Sequence, residues 1–314
     1  MTTTVAQARQ TDSAATAWTW PRVTVVIPHL NDFDRLAICI DALEAQTYPR
    51  DRFDIIVCDN GSDRPFQPLA ARYPGVRFIS EAEQKGPGPA RNRGVMAAET
   101  ELIAFTDSDC VPAPDWLEAG VTGLRARPDC EILGGAVDVF RLNDPKPTAA
   151  ELYETVFAFG QRRYVKRKNF AATGNIITTK SAFAAIGPFK GAAYPEDLEW
   201  GRRAVGLGYR IDLEPAMKVS HPARQNWGAL AKKWRRTIRH KRAYERDGRF
   251  ADLRWALFAL ALLSPPLIQG GRIFRSDRVT RLSDRLRVLG LLVGLRYYRA
   301  WWMARLLFGG EPTR

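Results

Sequence analysis

The chain has 314 residues, 46% of them hydrophobic and 26% charged, which is enough for one large or two modest domains with a sizeable core. This composition excludes a disordered protein. The net charge of +13 is unevenly distributed. Residues 1–221 carry 26 basic and 28 acidic side chains, whereas residues 222–314 carry 21 and 6, so the positive excess lies entirely in the last third.

The start of the chain and its cysteines point to a reducing compartment. The first 22 residues contain no apolar segment typical of a secretory signal, and residues 1–20 are predicted to form a disordered polar tail. No two cysteines form a CxxC pair or a zinc-finger spacing, so we expect buried free thiols rather than disulfides or a zinc site. The four are Cys39, Cys58, Cys110 and Cys130.

Short apolar segments alternate with helical patterns through the first two thirds of the chain. Val23–Ile27 is predicted to be a buried strand that Pro28 ends, with a loop over residues 29–31. Further strands are predicted at Phe53–Cys58, Val76–Ser80 and Leu102–Thr106. This alternation predicts βαβ units and an α/β fold with a mainly parallel sheet.

Carboxylates follow two of these strands. Asp107 and Asp109 come directly after the strand at residues 102–106, and Asp59 follows another. Ligands bind beyond the carboxyl ends of strands in open α/β sheets, where such carboxylates can hold a metal ion. The same spacing at Asp32 and Asp34 is explained by helix capping, so the spacing alone does not establish a site.

A second group of candidate residues lies between positions 190 and 222. Glu196 and Asp197 begin a predicted helix, where a single carboxylate would be enough to complement the helix dipole. Two predicted strands, Tyr209–Leu213 and Met217–Ser220, lead to His221. A lone histidine is more often structural than a ligand, but this one also follows a strand.

The remaining segments of this half are less regular. Glu131–Val139 resembles a strand, Gln161–Lys168 is interpreted as a basic, solvated loop, and Asn169–Thr179 has β character. The Gly86–Gly94 loop should open a helix near Ala90. It does not match a dinucleotide-binding fingerprint, because Arg91 stands where that pattern needs a glycine.

Taken in order, these motifs resemble family 2 glycosyltransferases, which have the glycosyltransferase A fold. The resemblance covers roughly residues 20–225 and implies a catalytic domain over residues 21–225 that transfers a hexosyl unit from a nucleotide-sugar. Its motifs are VTVVIP (23–28) with Asn31, CDNGS (58–62), GPARNRG (88–94), Asp107-Ser108-Asp109, Glu196-Asp197 and His221-Pro222.

The resemblance implies a role for each matching residue. The base and ribose of the nucleotide would lie against Pro28, Asn31, Asp59 and Asn60, the phosphates near Arg91, and the sugar against Asp107 and Ser108. Asp107, Asp109 and His221 would hold the metal ion, with Asp109 the more direct ligand, and Asp197 beside Glu196 would be the general base. The sequence departs from the family pattern at Leu30, where an aromatic residue is common, and at Asn60, where an aspartate is common.

The expected chemistry agrees with these residue types. A divalent cation held by carboxylates neutralises the charge that develops on a nucleotide diphosphate as it leaves. Mg²⁺ and Mn²⁺ both accept such ligands, and the imidazole of His221 favours Mn²⁺. A carboxylate on the opposite face of the sugar accepts the proton of the acceptor hydroxyl. A single displacement of this kind inverts the anomeric centre. The resemblance favours UDP as the nucleotide and a lipid-linked or polysaccharide acceptor.

The last third, residues 226–314, is predicted to be a basic amphipathic helical region. Leu230, Trp234 and Ile238 share one helical face. The apolar stretches at Trp255–Leu263 and Leu286–Phe308 are interrupted, and neither has the roughly 20 uninterrupted apolar residues of a spanning helix. We expect these helices to lie on an anionic membrane surface, which would make the protein a peripheral or monotopic protein of the cytoplasmic face.

Other interpretations of the basic helices and of the whole chain remain open. The basic helices can instead pack on the catalytic domain or on a second copy of the chain. A nucleic-acid interface is disfavoured because the apolar runs do not suit a wet surface, and we expect no nucleic-acid partner. A sugar nucleotidyltransferase would have a glycine-rich loop with a lysine after the first strand, where this chain has Pro28-His29-Leu30-Asn31. The non-enzyme alternative is a basic nucleic-acid-binding or scaffold protein.

Overall fold

The computed structural model describes residues 19–191, 194–245 and 250–309. Residues 1–18 of the predicted tail lie outside the described residues. The described chain forms one eight-stranded sheet with helices on both faces, followed by four helices. In chain order the elements are β1 (Val23–His29), α1 (Phe33–Glu44), β2 (Phe53–Asp59), α2 (Gln67–Arg72), β3 (Val76–Ser80), α3 (Pro87–Ala97), β4 (Leu102–Thr106), β5 (Val111–Pro112), α4 (Trp116–Arg125), β6 (Ile132–Phe140), α5 (Ala149–Phe157), α6 (Gln161–Lys168), β7 (Asn175–Thr179), α7 (Lys180–Ile186), α8 (Glu196–Gly206), β8 (Ile211–Pro222), α9 (Trp227–Glu245), α10 (Ala251–Ala261), α11 (Leu267–Phe274) and α12 (Leu282–Leu307).

The strand order places the candidate residues at one edge of the sheet. The order is β3-β2-β1-β4-β7-β6-β8-β5. β3, β2, β1 and β4 are mutually parallel, β7 runs antiparallel to β4 and β6, and β6 is parallel to β8. The carboxyl ends of β1, β2, β4, β6 and β8 therefore point the same way. The prediction of an α/β fold with a mainly parallel sheet is confirmed.

Two apolar layers cover the sheet. Val23, Val25 and Ile27 alternate along β1 and pack in the layer that contains α1 and α4. Val26 points to the opposite face, where Ile103 and side chains of α3, α7 and α8 form the second layer. Both faces are buried, which is why the central strands read as continuous apolar runs rather than as an alternating pattern.

β1 extends further than predicted. Proline does not end it at residue 28, because the strand continues to His29 and pairs with β2 over its whole length. Pairing with β4 stops at Val26, so the N–H that Pro28 lacks is not needed on that side.

The structure also corrects predictions between residues 161 and 222. Residues 161–168 form the helix α6 rather than a loop, because Gln161 and Val165, one turn apart, are buried against the sheet. Of residues 169–179, which were predicted to have β character, the segment Asn175–Thr179 forms a strand, β7. The two strands predicted at 209–213 and 217–220 are one strand, β8, with a bulge opposite Gly135 and Ala136.

The C-terminal helices pack against the rest of the chain through α5. Leu152 of α5 shares an apolar cluster with Leu230 of α9 and Leu292 of α12. The fully buried carboxylate of Glu154 accepts hydrogen bonds from Arg224 at 2.7 Å and from Lys233 of α9 at 2.6 Å. The sequence left open whether these helices pack on the rest of the chain, and such packing on the sheet half is observed for one side of them. α11, which follows the Ser264-Pro265-Pro266 break, was not predicted.

Candidate active site

The two aspartates after β4 lie on a tight turn. The N–H of Cys110 donates to the carbonyl of Asp107 at 3.0 Å and closes the turn. Both carboxylates are partly exposed, with 33% and 29% of their side-chain surfaces accessible. One oxygen of Asp107 lies so close to Gly174 that a Cβ there would meet it at 2.7 Å. Ser108 lies between the two, at the tip of the turn.

His221 reaches Asp109 from the end of β8. Its Nε2 lies 3.2 Å from Oδ2 of Asp109, and its Nδ1 lies 2.7 Å from the carbonyl of Pro222. A carbonyl oxygen only accepts, so Nδ1 carries a proton and donates to Pro222, while Nε2 faces the carboxylate of Asp109. Burial alone would raise the pKa of Asp109, but the hydrogen bond and charge of His221, with smaller effects of Arg35 and Arg224, lower it below its ordinary value.

These groups fit a hard divalent cation. Ligand atoms of Asp107, Asp109 and Cys110 lie within 4.8 Å of one another. Burial, followed by the charges of both aspartates, raises the pKa of the Cys110 thiol well above its ordinary value, so the thiol stays protonated. Within this cluster the suitable ligands are therefore the two carboxylates, and the imidazole of His221 adjoins the carboxylate of Asp109.

Arg91 joins two of the predicted site residues. It lies in α3, is 2% exposed, and donates to Asp107 at 2.5 Å and to Glu196 at 2.9 Å. Burial lowers its pKa, but the two carboxylates more than reverse this and raise it. Arg91 therefore fixes Asp107 and Glu196 in place. Its predicted contact with a phosphate stays a prediction, and such a contact would compete with these ion pairs.

Asp197 differs from its neighbour Glu196. Among the described residues, Asp197 forms no ion pair, and its Oδ1 accepts the N–H of Leu198 at 2.8 Å. Burial raises the pKa of Asp197 to about 6, and the charge of Glu196 adds to this effect. A carboxylate with a raised pKa and no cation attached is suited to accept a proton. Of the two predicted catalytic residues, Asp197 therefore suits the base, and Glu196 is held by Arg91.

The predicted nucleotide-binding residues lie at the ends of β1 and β2. Asp59 accepts the N–H groups of Gly61 at 3.1 Å and Ser62 at 3.0 Å. Among the described residues, the partners of the Asn60 side chain are main-chain groups of residues 81, 84 and 86, so it holds the loop before α3. Asn31, in the left-handed region with φ of 62°, bonds to Asp63 in both directions. Pro28 is buried in β1, which leaves Asn31 and Asp59 as the polar groups at this edge.

Sequence reasoning missed His29, which it placed in a loop. The residue is 1% exposed, and neither ring nitrogen has a hydrogen-bond partner among the described residues. Its Nε2 lies 3.9 Å from Asp59, and burial lowers its pKa, so the imidazole is neutral. The signal for burial was that His29 continues the apolar strand of residues 23–28.

The fold and this site define a class of protein. Carboxylates and an imidazole meet at the carboxyl edge of a mainly parallel sheet, and an unpaired carboxylate lies on α8 nearby. The solved mannosyltransferase PcManGT from Pyrobaculum calidifontis, in complex with GDP-Man and Mn²⁺, has a similar fold, with a TM-score of 0.60 and 18% sequence identity. The alignment covers 93% of this chain and 88% of that one. The fold is therefore the glycosyltransferase A fold, as predicted.

The family follows from sequence comparison. The model of glycosyl transferase family 2 matches residues 24–187. Glycosyltransferase AglE of Haloferax volcanii is 31% identical over 220 residues, which cover 68% of this chain and 71% of that one. The pre-mycofactocin glycosyltransferase of Mycobacterium tuberculosis is 27% identical over 210 residues, which cover 64% of this chain and 43% of that one.

This chain belongs to glycosyl transferase family 2 and is a glycosyltransferase. The resemblance inferred from the motifs is confirmed. The two other classes, a nucleotidyltransferase and a basic scaffold or nucleic-acid-binding protein, are not supported by the comparisons. The roles of the individual site residues stay predictions.

Proposed function

We propose that this protein is an inverting, divalent-metal-dependent glycosyltransferase that transfers a sugar from a nucleotide-sugar to a hydroxyl group of a lipid-linked or polysaccharide acceptor. The observation that carries the proposal is the separation of two kinds of carboxylate. Asp109 lies against His221 and Asp107 is bound by Arg91, whereas Asp197 has a raised pKa and no ion-pair partner among the described residues. One group is suited to a cation and the other to a proton.

Asp107, Asp109 and His221 are the residues that would hold the cation, with Mn²⁺ favoured over Mg²⁺ by the imidazole. A bound cation of this kind stabilises the negative charge that develops on the leaving diphosphate. The hydrogen bond from Nδ1 of His221 to Pro222 fixes the tautomer that a ligand histidine needs. The match with a GDP-Man and Mn²⁺ complex supports a nucleotide-sugar donor, and we retain UDP as the nucleotide that the motifs favour.

Asp197 is the proposed general base. It would accept the proton of the acceptor hydroxyl while that oxygen attacks the anomeric carbon and the bond to the diphosphate breaks. Glu196, held by Arg91 at 2.9 Å, places the start of α8 next to the Asp107 turn. A single displacement inverts the anomeric configuration.

We also propose that the C-terminal helices attach the enzyme to the cytoplasmic face of an anionic membrane. Leu253, Leu257 and Leu260 lie on one exposed face of α10, and Leu267 and Ile268 at the start of α11 are 81% and 86% exposed. Exposed apolar patches with a basic surround favour a membrane interface. No helix within the described ranges is long and apolar enough to span a bilayer.

Release of nucleotide tests the catalytic proposal. Purified protein would be incubated with membranes, Mn²⁺ and a panel of UDP-, GDP- and ADP-sugars, with and without EDTA. We expect one donor to give free nucleotide diphosphate and a product of inverted configuration, and EDTA to suppress the release. Retention of configuration, or full activity in EDTA, would overturn the mechanism.

A further inference from the structure

A cavity lies next to the proposed catalytic centre. It measures about 540 Å³ and is bounded by β6, β8 and the segment that begins α6. Ala136, Val137 and Leu213 line it from the sheet, and Phe159 lines it from the loop before α6. These groups make part of its wall apolar.

The rest of the wall is strongly basic. Four cationic side chains of α6 line the cavity, and none of them forms an ion pair with a described residue. They are Arg162, Arg163, Lys166 and Arg167. α6 contains no acidic residue, so the cavity carries a concentrated positive charge that this helix does not balance.

Helix stability explains only part of this charge. Lys166 and Arg167 lie in the last turn, where cations interact favourably with the helix dipole. Arg162 and Arg163 lie in the first turn, where the same dipole disfavours positive charge. Burial, followed by repulsion from Arg163 and two further cations, lowers the pKa of Lys168. An anion in the cavity would relieve this repulsion.

The cavity is close to the catalytic residues. The ring of Phe159 lies 4.6 Å from that of His221, centroid to centroid. Phe159 has a φ of 48°, an uncommon conformation for a bulky residue that the surrounding packing must hold. Tyr164 of α6 lies near Asp197. Burial raises the pKa of Tyr164, and the charge of Asp197 raises it further.

The helix α11, which has exposed apolar residues, packs near the loop that lines the cavity. The guanidinium of Arg272 on α11 lies 5.0 Å above the ring of Phe157, two residues before Phe159. Leu267 and Ile268 are exposed at the start of α11. The helix α11, whose first residues are exposed and apolar, therefore packs against the segment that leads to the cavity.

We propose that this cavity binds the phosphate or diphosphate of a lipid-linked acceptor, with the first carbons of the lipid chain against the apolar wall. This inference rests on the proposed function, since it identifies the acceptor class of that same enzyme. The phosphate group anchors the acceptor, and the sugar hydroxyl of the acceptor reaches Asp197. Guanidinium groups suit phosphate binding because one group can donate two parallel hydrogen bonds to two phosphate oxygens.

The test compares binding to the full-length protein of three soluble probes, namely farnesyl phosphate, farnesol and inorganic phosphate. The pocket variant is Arg162→Ser/Arg163→Ser/Arg167→Ser. The control, Lys232→Ser/Arg236→Ser/Arg239→Ser, removes the same charge from exposed positions of α9. Unchanged thermal unfolding of both variants shows that they fold.

We expect farnesyl phosphate to bind the wild type more tightly than either other probe, and the pocket variant to lose at least about tenfold in affinity, or about 1.4 kcal/mol. The control variant should keep the wild-type affinity. Equal binding by wild type and pocket variant would overturn the proposal. So would inorganic phosphate binding as tightly as farnesyl phosphate, because the apolar wall would then contribute nothing.

Assays of nucleotide release distinguish failure of this acceptor-binding proposal from failure of the proposed glycosyltransferase function. Slow release of nucleotide to water, without acceptor, should be equal in wild type and control variant, whereas the KM for a lipid-linked acceptor should rise in the pocket variant and not in the control variant. If no donor reacts but farnesyl phosphate binding still depends on the arginines, the proposed function fails and the lipid phosphate site stands. If donors react but the affinity for farnesyl phosphate does not depend on the arginines, the acceptor proposal alone fails.

Discussion

The sheet and the C-terminal helices handle charge and apolar surface in opposite ways. In the sheet half, Arg91 is buried between two carboxylates, and both faces of the strands are covered. In α9–α12, cations greatly outnumber carboxylates, and large apolar side chains such as Leu257 and Ile268 remain exposed. The sheet half pairs Arg91 internally and covers its apolar faces, whereas the helices present apolar surface suited to something outside the chain.

The two regions meet at α5 and α6. Glu154 ties α9 to the sheet half, and the loop of Phe159 connects the helices to His221. This difference fits the proposed roles of the two regions. The sheet half would bind the nucleotide-sugar donor and carry the general base, and the helices together with α6 would bind the acceptor. The following predictions test these roles, beginning with the largest effect.

Removal of both turn carboxylates should have the largest effect. Asp107→Ala/Asp109→Ala removes two of the three proposed metal ligands, and we expect transfer to fall by about 10³-fold or more, since a bound cation supplies several kcal/mol. Nucleotide release with Mn²⁺ measures this. The matched control is Asp32→Ala/Asp34→Ala, the same spacing at the start of α1, which should keep most of the activity. Equal losses in the two variants would show that the turn has no special role.

Asp197→Asn should lower transfer by about 10² to 10⁴-fold, because it removes the proposed general base. In the wild type the pKa of about 6 predicts that the rate falls as the pH drops through 6, where the base becomes protonated, and is level above it. A pH–rate profile of transfer checks this. In Glu196→Gln the midpoint of the profile should move to lower pH, since the charge of Glu196 contributes to the raised pKa of Asp197. A wild-type rate independent of pH between 5 and 8 would contradict the assignment.

Glu154→Gln should weaken the junction between the two regions. It leaves Arg224 and Lys233 without their buried partner, and we expect a loss of about 3 to 5 kcal/mol in the free energy of unfolding. Denaturant unfolding at pH 7 measures this. Burial would raise the pKa of Glu154, but Lys233 and Arg224 lower it below 4.5. This contribution is therefore present at neutral pH and is lost as the pH falls below 4.5 towards the lowered value.

Adding Lys233→Met to Glu154→Gln should restore part of the lost stability, because it removes one unpaired buried cation. A double variant that is less stable than Glu154→Gln alone would show that the ion pair is not what holds α9 in place.

Leu257→Ser/Leu260→Ser should have the smallest effect on the folded protein. Both residues are exposed, so the free energy of unfolding should change by no more than about 0.5 kcal/mol per residue. Binding to vesicles of anionic lipid should nevertheless decrease, as a sedimentation assay would show. The control Ile38→Ser, at an exposed position of α1, should leave vesicle binding unchanged. Unaltered sedimentation of the leucine variant would remove the support for a membrane surface at α10.

The sequence alone determined the parts of this protein that depend on local pattern. Apolar runs that end at Asp59 and at Asp107 predicted two buried strands and the carboxylates at their carboxyl ends. Both features can be read from the sequence, because a buried strand is a short apolar run and the residue that follows it is known. The motif order identified the family, which the comparisons confirmed. Uneven charge separated the basic last third from the rest.

Only the tertiary structure decided which groups are paired. Glu196 and Asp197 are neighbours in the sequence, yet Arg91, 105 residues away from Glu196, donates to the first and not to the second. The same applies to α6, where burial of Gln161 and Val165 converts an expected basic loop into a helix beside a cavity. Pairing and burial depend on contacts between residues far apart in the chain, and residue order along one segment does not contain that information.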